Sequence, residues 1–154
     1  MQARTLLLAL VAVALNVHAA DEPGSSPATP SARERMTIAR KALAVHDYNK
    51  AVAELSTVVR ADPGNAEAHS LLGYSYRKSP SPDLAKAFEH YNTALRIDPR
   101  HKGAHEYIGE AYLTERKPEE AQKHLAELER ICGNRSCEEY ADLSKAIAEY
   151  QAKN

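Results

Sequence analysis

AEAHSLLG, the stretch Ala66–Gly73, with Tyr76 three residues beyond it, decides how this 154-residue chain is read. Leu72-Gly73 recurs as Ile108-Gly109 and Tyr76 as Tyr112, while Ile38-Ala39 stands one unit earlier. Asp62-Pro63 returns as Asp98-Pro99. Ala51, Ala87 and Ala121 make a further series, each followed four residues later by a large side chain, Leu55, Tyr91 and Leu125. The offsets are 34 or 36 residues. The two extra residues fall in Ser79-Pro80-Ser81-Pro82, a loop in which added length costs little. One alanine-rich unit could arise by chance, but three matched at the same offsets argue for a built repeat.

Local signals around that core predict seven helices, at about 32–45, 48–61, 66–78, 83–97, 102–115, 118–131 and 137–152. Ser31 with Glu34 offers a capping box, and Ser136 with Glu139 a second one. Pro118 suits a first helical turn. In the last helix Tyr140, Leu143, Ile147 and Tyr150, at spacings of 3, 4 and 3, form an apolar stripe. Its opposite side, with Glu138, Asp142, Lys145 and Glu149, is expected to meet water.

The pattern resembles the tetratricopeptide repeat, a pair of antiparallel helices recurring about every 34 residues. The resemblance covers roughly Ala32 to Gly133. It implies an all-α fold: a right-handed α-solenoid of about three helix pairs, 32–65, 66–101 and 102–135, with a C-terminal capping helix in 136–154 covering the last exposed apolar face. Ala39, Gly73 and Gly109 would let the two helices of a pair approach, Ala51, Ala87 and Ala121 would receive that contact, and the Pro of Asp-Pro would end the second helix. Arg35, His69 and His105 stand where the family places a large residue. Ala42 replaces the Tyr of the later units, and Gly133 replaces a third Pro.

Function in this family commonly lies on the concave face built by the first helices, which receives an extended or helical peptide. The resemblance places groove residues at Arg33, Met36, Arg40 and Leu43 in the first unit. It adds Glu67, Ser70, Tyr74, Arg77 and Lys78 in the second, and Glu106, Glu110 and Leu113 in the third. Arg40, Arg77 and Lys78 would make one end basic, Glu106 and Glu110 the other acidic, with Tyr74 as a central anchor. Chaperone-binding members hold a terminal carboxylate with Asn and Lys or Arg from the first helices. No Asn occupies a groove position here, so that clamp is not expected.

Met1–Ala20 has the parts of a secretory signal: Arg4, the apolar run Leu6–Leu15, and Val17-His18-Ala19 before a cleavage after Ala19. A retained membrane anchor is the alternative, but the uncharged stretch Thr5–Val17 is 13 residues, and spanning takes ~20. The expectation is a signal peptide over 1–19, a Pro- and Ser-rich flexible linker over 20–31, and an exported protein, periplasmic or secreted, and bacterial on its Ala- and Arg-rich look. In that setting Cys132 and Cys137 most simply form a disulfide. A redox-active dithiol is the sharper alternative, since Cys137 stands at a helix N-terminus.

A net charge of −1 gives no global pull toward nucleic acid or an anionic membrane. Six Gly against eight Pro, with abundant Ala, favour helices over a turn-rich β fold. There is no Gly-rich phosphate loop, nucleophile elbow or His-Glu-x-x-His pattern. His101 and His105 stand at a spacing of four that suits two metal ligands, but packing explains His105 better. The sequence therefore predicts a non-catalytic adaptor or scaffold of the cell envelope that binds a protein or peptide. No cofactor, metal, catalytic residue, nucleic acid, small-molecule substrate or membrane insertion after cleavage is expected. Two alternatives are a redox or metal-handling protein using Cys132/Cys137 or His101/His105, and a structural subunit of an envelope assembly.

Overall fold

The computed structural model describes residues 29–154; the expected signal peptide and most of the expected linker lie outside them. Seven helices and no strand occur among the described residues: α1 Ala32–Ala44, α2 Tyr48–Ala61, α3 Ala66–Lys78, α4 Leu84–Ile97, α5 Lys102–Thr114, α6 Pro118–Cys132 and α7 Glu138–Lys153. Each end lies within one residue of the sequence expectation, because the stop and start signals are local. Ser31 and Glu34 form the reciprocal capping box at α1. The side chains of Asp47, Asn65 and Asp83 accept from Lys50, Ala68 and Lys86 N–H at the starts of α2, α3 and α4. Pro118 opens α6, and Gly133 closes it at φ 70°, a left-handed conformation that glycine adopts without strain.

The second expected capping box is absent. Cys137, not Ser136, is the N-cap of α7 and makes no side-chain cap bond. Ser136 donates its hydroxyl to Asn134 instead, and Glu139 pairs with Lys102 of α5 at 3.1 Å. A long-range ion pair and a two-residue turn have outcompeted the local box.

The units repeat in detail. Within each pair, the residue before the second helix donates its N–H to the equivalent carbonyl: Asp47 to Ala42 at 2.9 Å, Asp83 to Tyr76 at 3.1 Å, Lys117 to Tyr112 at 2.9 Å. His46 and Arg116 make the two tight turns at φ 58°. In the second unit, the two extra residues let the chain reach the same closure without a left-handed residue.

Each first helix packs on its own second helix, and α2, α4 and α6 each pack on the helix that follows. α3 also meets α5, and α5 meets α7, so α7 takes the position of a fourth first helix. The core runs along the stack as three clusters. One centres on Ala39, Leu55 and Leu72, the next on Tyr91 and Ile108, the last on Leu128, Leu143 and Ile147. The result is an all-α solenoid of helix pairs closed by a C-terminal helix. Gly73 lies against Tyr91 and the Ala87 carbonyl of its own pair, as the repeat requires. At Gly109 the nearest atoms belong to Leu143 of α7 rather than to the partner helix, so the last glycine is packed by the lid.

Candidate binding groove

The first helices of the pairs, together with α7, share one face that carries three adjoining hollows. The first, about 380 Å³, lies among Arg40, Leu43, Leu71, Tyr74 and Tyr107. Leu71 and Tyr107 also bound the second, about 510 Å³, whose other walls include Glu67, Ser70, His101, Glu106, Glu139 and Asp142. Glu106 and Asp142 pass on to the third, about 230 Å³, with Glu110 and Glu149. A groove thus crosses α1, α3, α5 and α7.

Tyrosines line its middle. Tyr74 and Tyr107 stand 4.8 Å apart, ring centre to ring centre, at a tilt of 49°. Both are half-buried, and burial pushes both phenols above their ordinary range, so each offers a neutral hydroxyl and an apolar ring. Tyr74 was placed in the groove by the sequence; Tyr107 was not. Tyr107 stands 36 residues after Leu71, a position the sequence did not assign to the groove either, so the repeat carried no signal for it.

The charged residues pair across units. The Arg77 guanidinium, 9% exposed, meets Glu110 of the next unit, donates to the Tyr91 hydroxyl at 3.4 Å and lies 5.6 Å from the Tyr74 ring centre. Arg40 meets Glu67 at 3.0 Å. His101 accepts the Ala104 N–H at Nδ1, so its Nε2–H is the one that donates to Glu67, at 3.1 Å. That bond holds the Glu67 carboxyl below its usual range and raises His101. The expected basic end is therefore corrected: Arg40 and Arg77 are already neutralised by groove carboxylates, and only Lys78 remains exposed without an ion pair among the described residues.

The acidic end keeps its charge problem. Glu106 makes no hydrogen bond or ion pair among the described residues. Burial, with Glu110, Asp142 and Glu139 close by and Arg77 opposing, pushes its carboxyl up to about 8.

Other expected groove residues are placed elsewhere. Met36 is buried in the first core cluster and Leu113 in the last, because their helix positions turn them toward the neighbouring pair. Both are removed from the surface. Arg33 lines a separate hollow with Pro30, Thr37 and Ile38 near the start of α1. Ser70 is 1% exposed, on the groove floor. The α7 residues Glu138 and Asp142 are exposed as expected, and they also form a groove wall.

His101 and His105 do not converge on a common point. His105 donates Nε2–H to the Pro99 carbonyl at 3.1 Å, which leaves its Nδ1 bare to accept from His124 Nδ1–H at 2.9 Å. His69 and His90 form the equivalent pair one unit earlier, 3.1 Å apart, except that His69 Nε2 is buried without a partner. Tyr76 and Tyr112 stack on His90 and His124. Both pairs sit between helices as packing elements. Cys132 and Cys137 are joined, with Cα atoms 6.3 Å apart, where α6 turns into α7.

Residues 36–102 match the family model described as tetratricopeptide repeat. No curated protein matches the chain in sequence. Three solved structures share its fold. The TPR2B-domain:pHsp70 complex of yeast Sti1 is 15% identical, with a TM-score of 0.69 over 80% of this chain and 98% of that one. The first repeat domain of Spaghetti (RPAP3), bound to the HSP90 peptide SRMEEVD, is 18% identical, with a TM-score of 0.64 over 79% and 96%. The first repeat domain of human RPAP3 is 20% identical, with a TM-score of 0.64 over 80% and 97%.

Proposed function

Because this chain is a tetratricopeptide-repeat protein, we propose that it works as a non-catalytic adaptor that holds a segment of another protein in the groove across α1, α3, α5 and α7. The observation that carries this reading is the continuity of the three hollows, centred on Tyr74 and Tyr107, whose rings offer a rigid amphipathic anchor at low entropic cost. Two of the fold neighbours are complexes with pHsp70 and with an HSP90 peptide, which supports the use of this architecture for peptide capture. The apolar run at residues 6–15 and the paired Cys132 and Cys137 support action outside the cytoplasm.

The test is affinity capture from envelope extract with the parent chain and with Tyr74→Ala/Tyr107→Ala, after circular dichroism has shown the variant folded. A partner retained by the parent and lost by the variant is expected. Arg77 is left intact, because its buried ion pair would confound binding with stability. If every captured protein is indifferent to both tyrosines, the groove is not the docking surface.

A further inference from the structure

We propose that the middle hollow of the groove is a receptor for one basic side chain, an arginine or lysine, carried by the partner's segment. The inference rests on the groove reading above and adds the chemistry of what enters. Two independent observations meet there. Glu106 is a half-buried carboxyl with no countercharge: Glu110 is taken by Arg77, Glu67 by Arg40 and His101, and Glu139 by Lys102. Asp142, across the hollow on α7, has no ion-pair or hydrogen-bond partner among the described residues. On the floor, Ser70 shares the groove-facing stripe of α3 with Glu67 and Tyr74, and its hydroxyl is buried with no partner. A buried hydroxyl and a half-buried carboxyl left without partners are costly, and one entering cationic head with several N–H donors can serve both.

The size and walls choose the occupant. At about 510 Å³ the hollow is much larger than a bare ion needs, while Leu71 and Tyr107 provide an apolar flank for the stem of a long side chain. A guanidinium or ammonium group between Glu106 and Asp142 supplies the missing countercharge and a donor toward the Ser70 hydroxyl. The peptide of the Spaghetti neighbour, SRMEEVD, has three acids and one base; here its acids would face like charge.

Protonation adds a signature. Glu106 holds its proton near neutral pH, owing to burial and to Glu110, Asp142 and Glu139. Around it also stand Glu67 and Arg77 of α3, Asp98 and Arg100 before α5, His101 and Lys102 at its start, Tyr107, and Glu138, Lys145 and Glu149 of α7. A cation that enters expels that proton, so its binding strengthens as pH rises through the Glu106 transition.

The experiment selects a random peptide display library on the full chain at about pH 8, then measures the recovered arginine-containing peptides and SRMEEVD by fluorescence anisotropy. The expected result is enrichment of Arg or Lys at one fixed position and negligible binding of SRMEEVD. Binding should weaken roughly tenfold or more in Glu106→Gln and in Asp142→Asn, the loss of a charge-assisted contact. From about pH 6 to about 9 the arginine peptides should tighten on the parent but not on Glu106→Gln. Peptides that need Tyr74 yet show no basic preference, or that bind Glu106→Gln unchanged, overturn the receptor and leave the groove standing. Calcium bound by the free chain and lost in the same two variants would overturn it in favour of a metal site. If no peptide recovered depends on Tyr74 or Tyr107, the groove reading itself fails, and this inference with it.

Discussion

Adding one methyl group at each of the two equivalent glycines should destabilise the protein unequally. Gly→Ala in a helix interior gains ~1 kcal/mol in intrinsic propensity. At Gly73 the new Cβ would stand 2.6 and 2.7 Å from the Tyr91 ring and 2.9 Å from the Ala87 carbonyl oxygen. Tyr91 is fully buried and its hydroxyl is held by Arg77, and the carbonyl belongs to the α4 backbone, so neither yields. The helices must part, an overpacking cost of ~3 kcal/mol, which leaves a net loss of ~2 kcal/mol. For a domain of this size that lowers the melting midpoint by roughly 6–10 °C.

At Gly109 all three close atoms belong to the side chain of Leu143, at 2.6, 2.8 and 3.3 Å, which is fully buried but can shift together with the terminal helix that carries it. Overpacking of ~1–2 kcal/mol against the same propensity gain leaves a net loss of ~1 kcal/mol or less. Removing the obstacle reverses the sign. In a Leu143→Ala background, itself ~2–5 kcal/mol less stable, Gly109→Ala fills part of the cavity and should restore ~1 kcal/mol. Urea and thermal denaturation followed by circular dichroism measure all four variants. A Gly73→Ala protein as stable as the parent, or a Gly109→Ala penalty that persists without Leu143, would refute the packing account.

Acid should destabilise the stack through its buried histidines, measured in a Glu106→Gln background, because the raised Glu106 carboxyl works in the opposite sense and stabilises as pH falls. Burial holds His69, His90, His105 and His124 below the ordinary imidazole range, with His124 lowered to about 4 by burial and then by His105. The unfolded chain therefore binds more protons between pH ~6.5 and ~4, so the stabilisation is complete above that window and is lost as pH falls through it. After discounting for the partial exposure of His124, the loss is ~2 kcal/mol from that residue. Melting midpoints measured down to about pH 4 should show it, with a flatter profile in His124→Gln. Reduction of Cys132–Cys137 opens a loop of about six residues and should cost roughly 2 kcal/mol on the chain-entropy account, seen as a lower midpoint with dithiothreitol. Arg77→Ala strands Glu110 beside a buried hydroxyl and should cost ~3 kcal/mol; Arg77→Met with Glu110→Gln should recover much of it, and a double-mutant cycle separates the two.

Helix ends and repeat spacing were legible because their causes are local. An Asp or Asn beside the first turn, a proline after Asp62 or Asp98, and a small residue recurring at Ala39, Gly73 and Gly109 act over one or two turns of backbone. The groove was legible only as a stripe. Helical periodicity puts Glu67, Ser70, Tyr74 and Arg77 on one side of α3, yet it says nothing of which charge on another helix lies opposite. Arg77 and Glu110 are 33 residues apart, and Lys102 and Glu139 are 37 apart. These pairings follow from the angle and distance between successive helix pairs, as does the burial of Met36 and Leu113.

By itself, then, the order of residues determined the helices, their pairing into units and the small positions that let them approach, since each depends on neighbours within one unit. Only the stacked structure decided where charge is spent and where it is left over. It neutralised the expected basic end, brought Tyr107 beside Tyr74, and set the acids of α7 against an unpaired Glu106. Electrostatic balance is a property of through-space distance, and those distances exist only once the units have stacked.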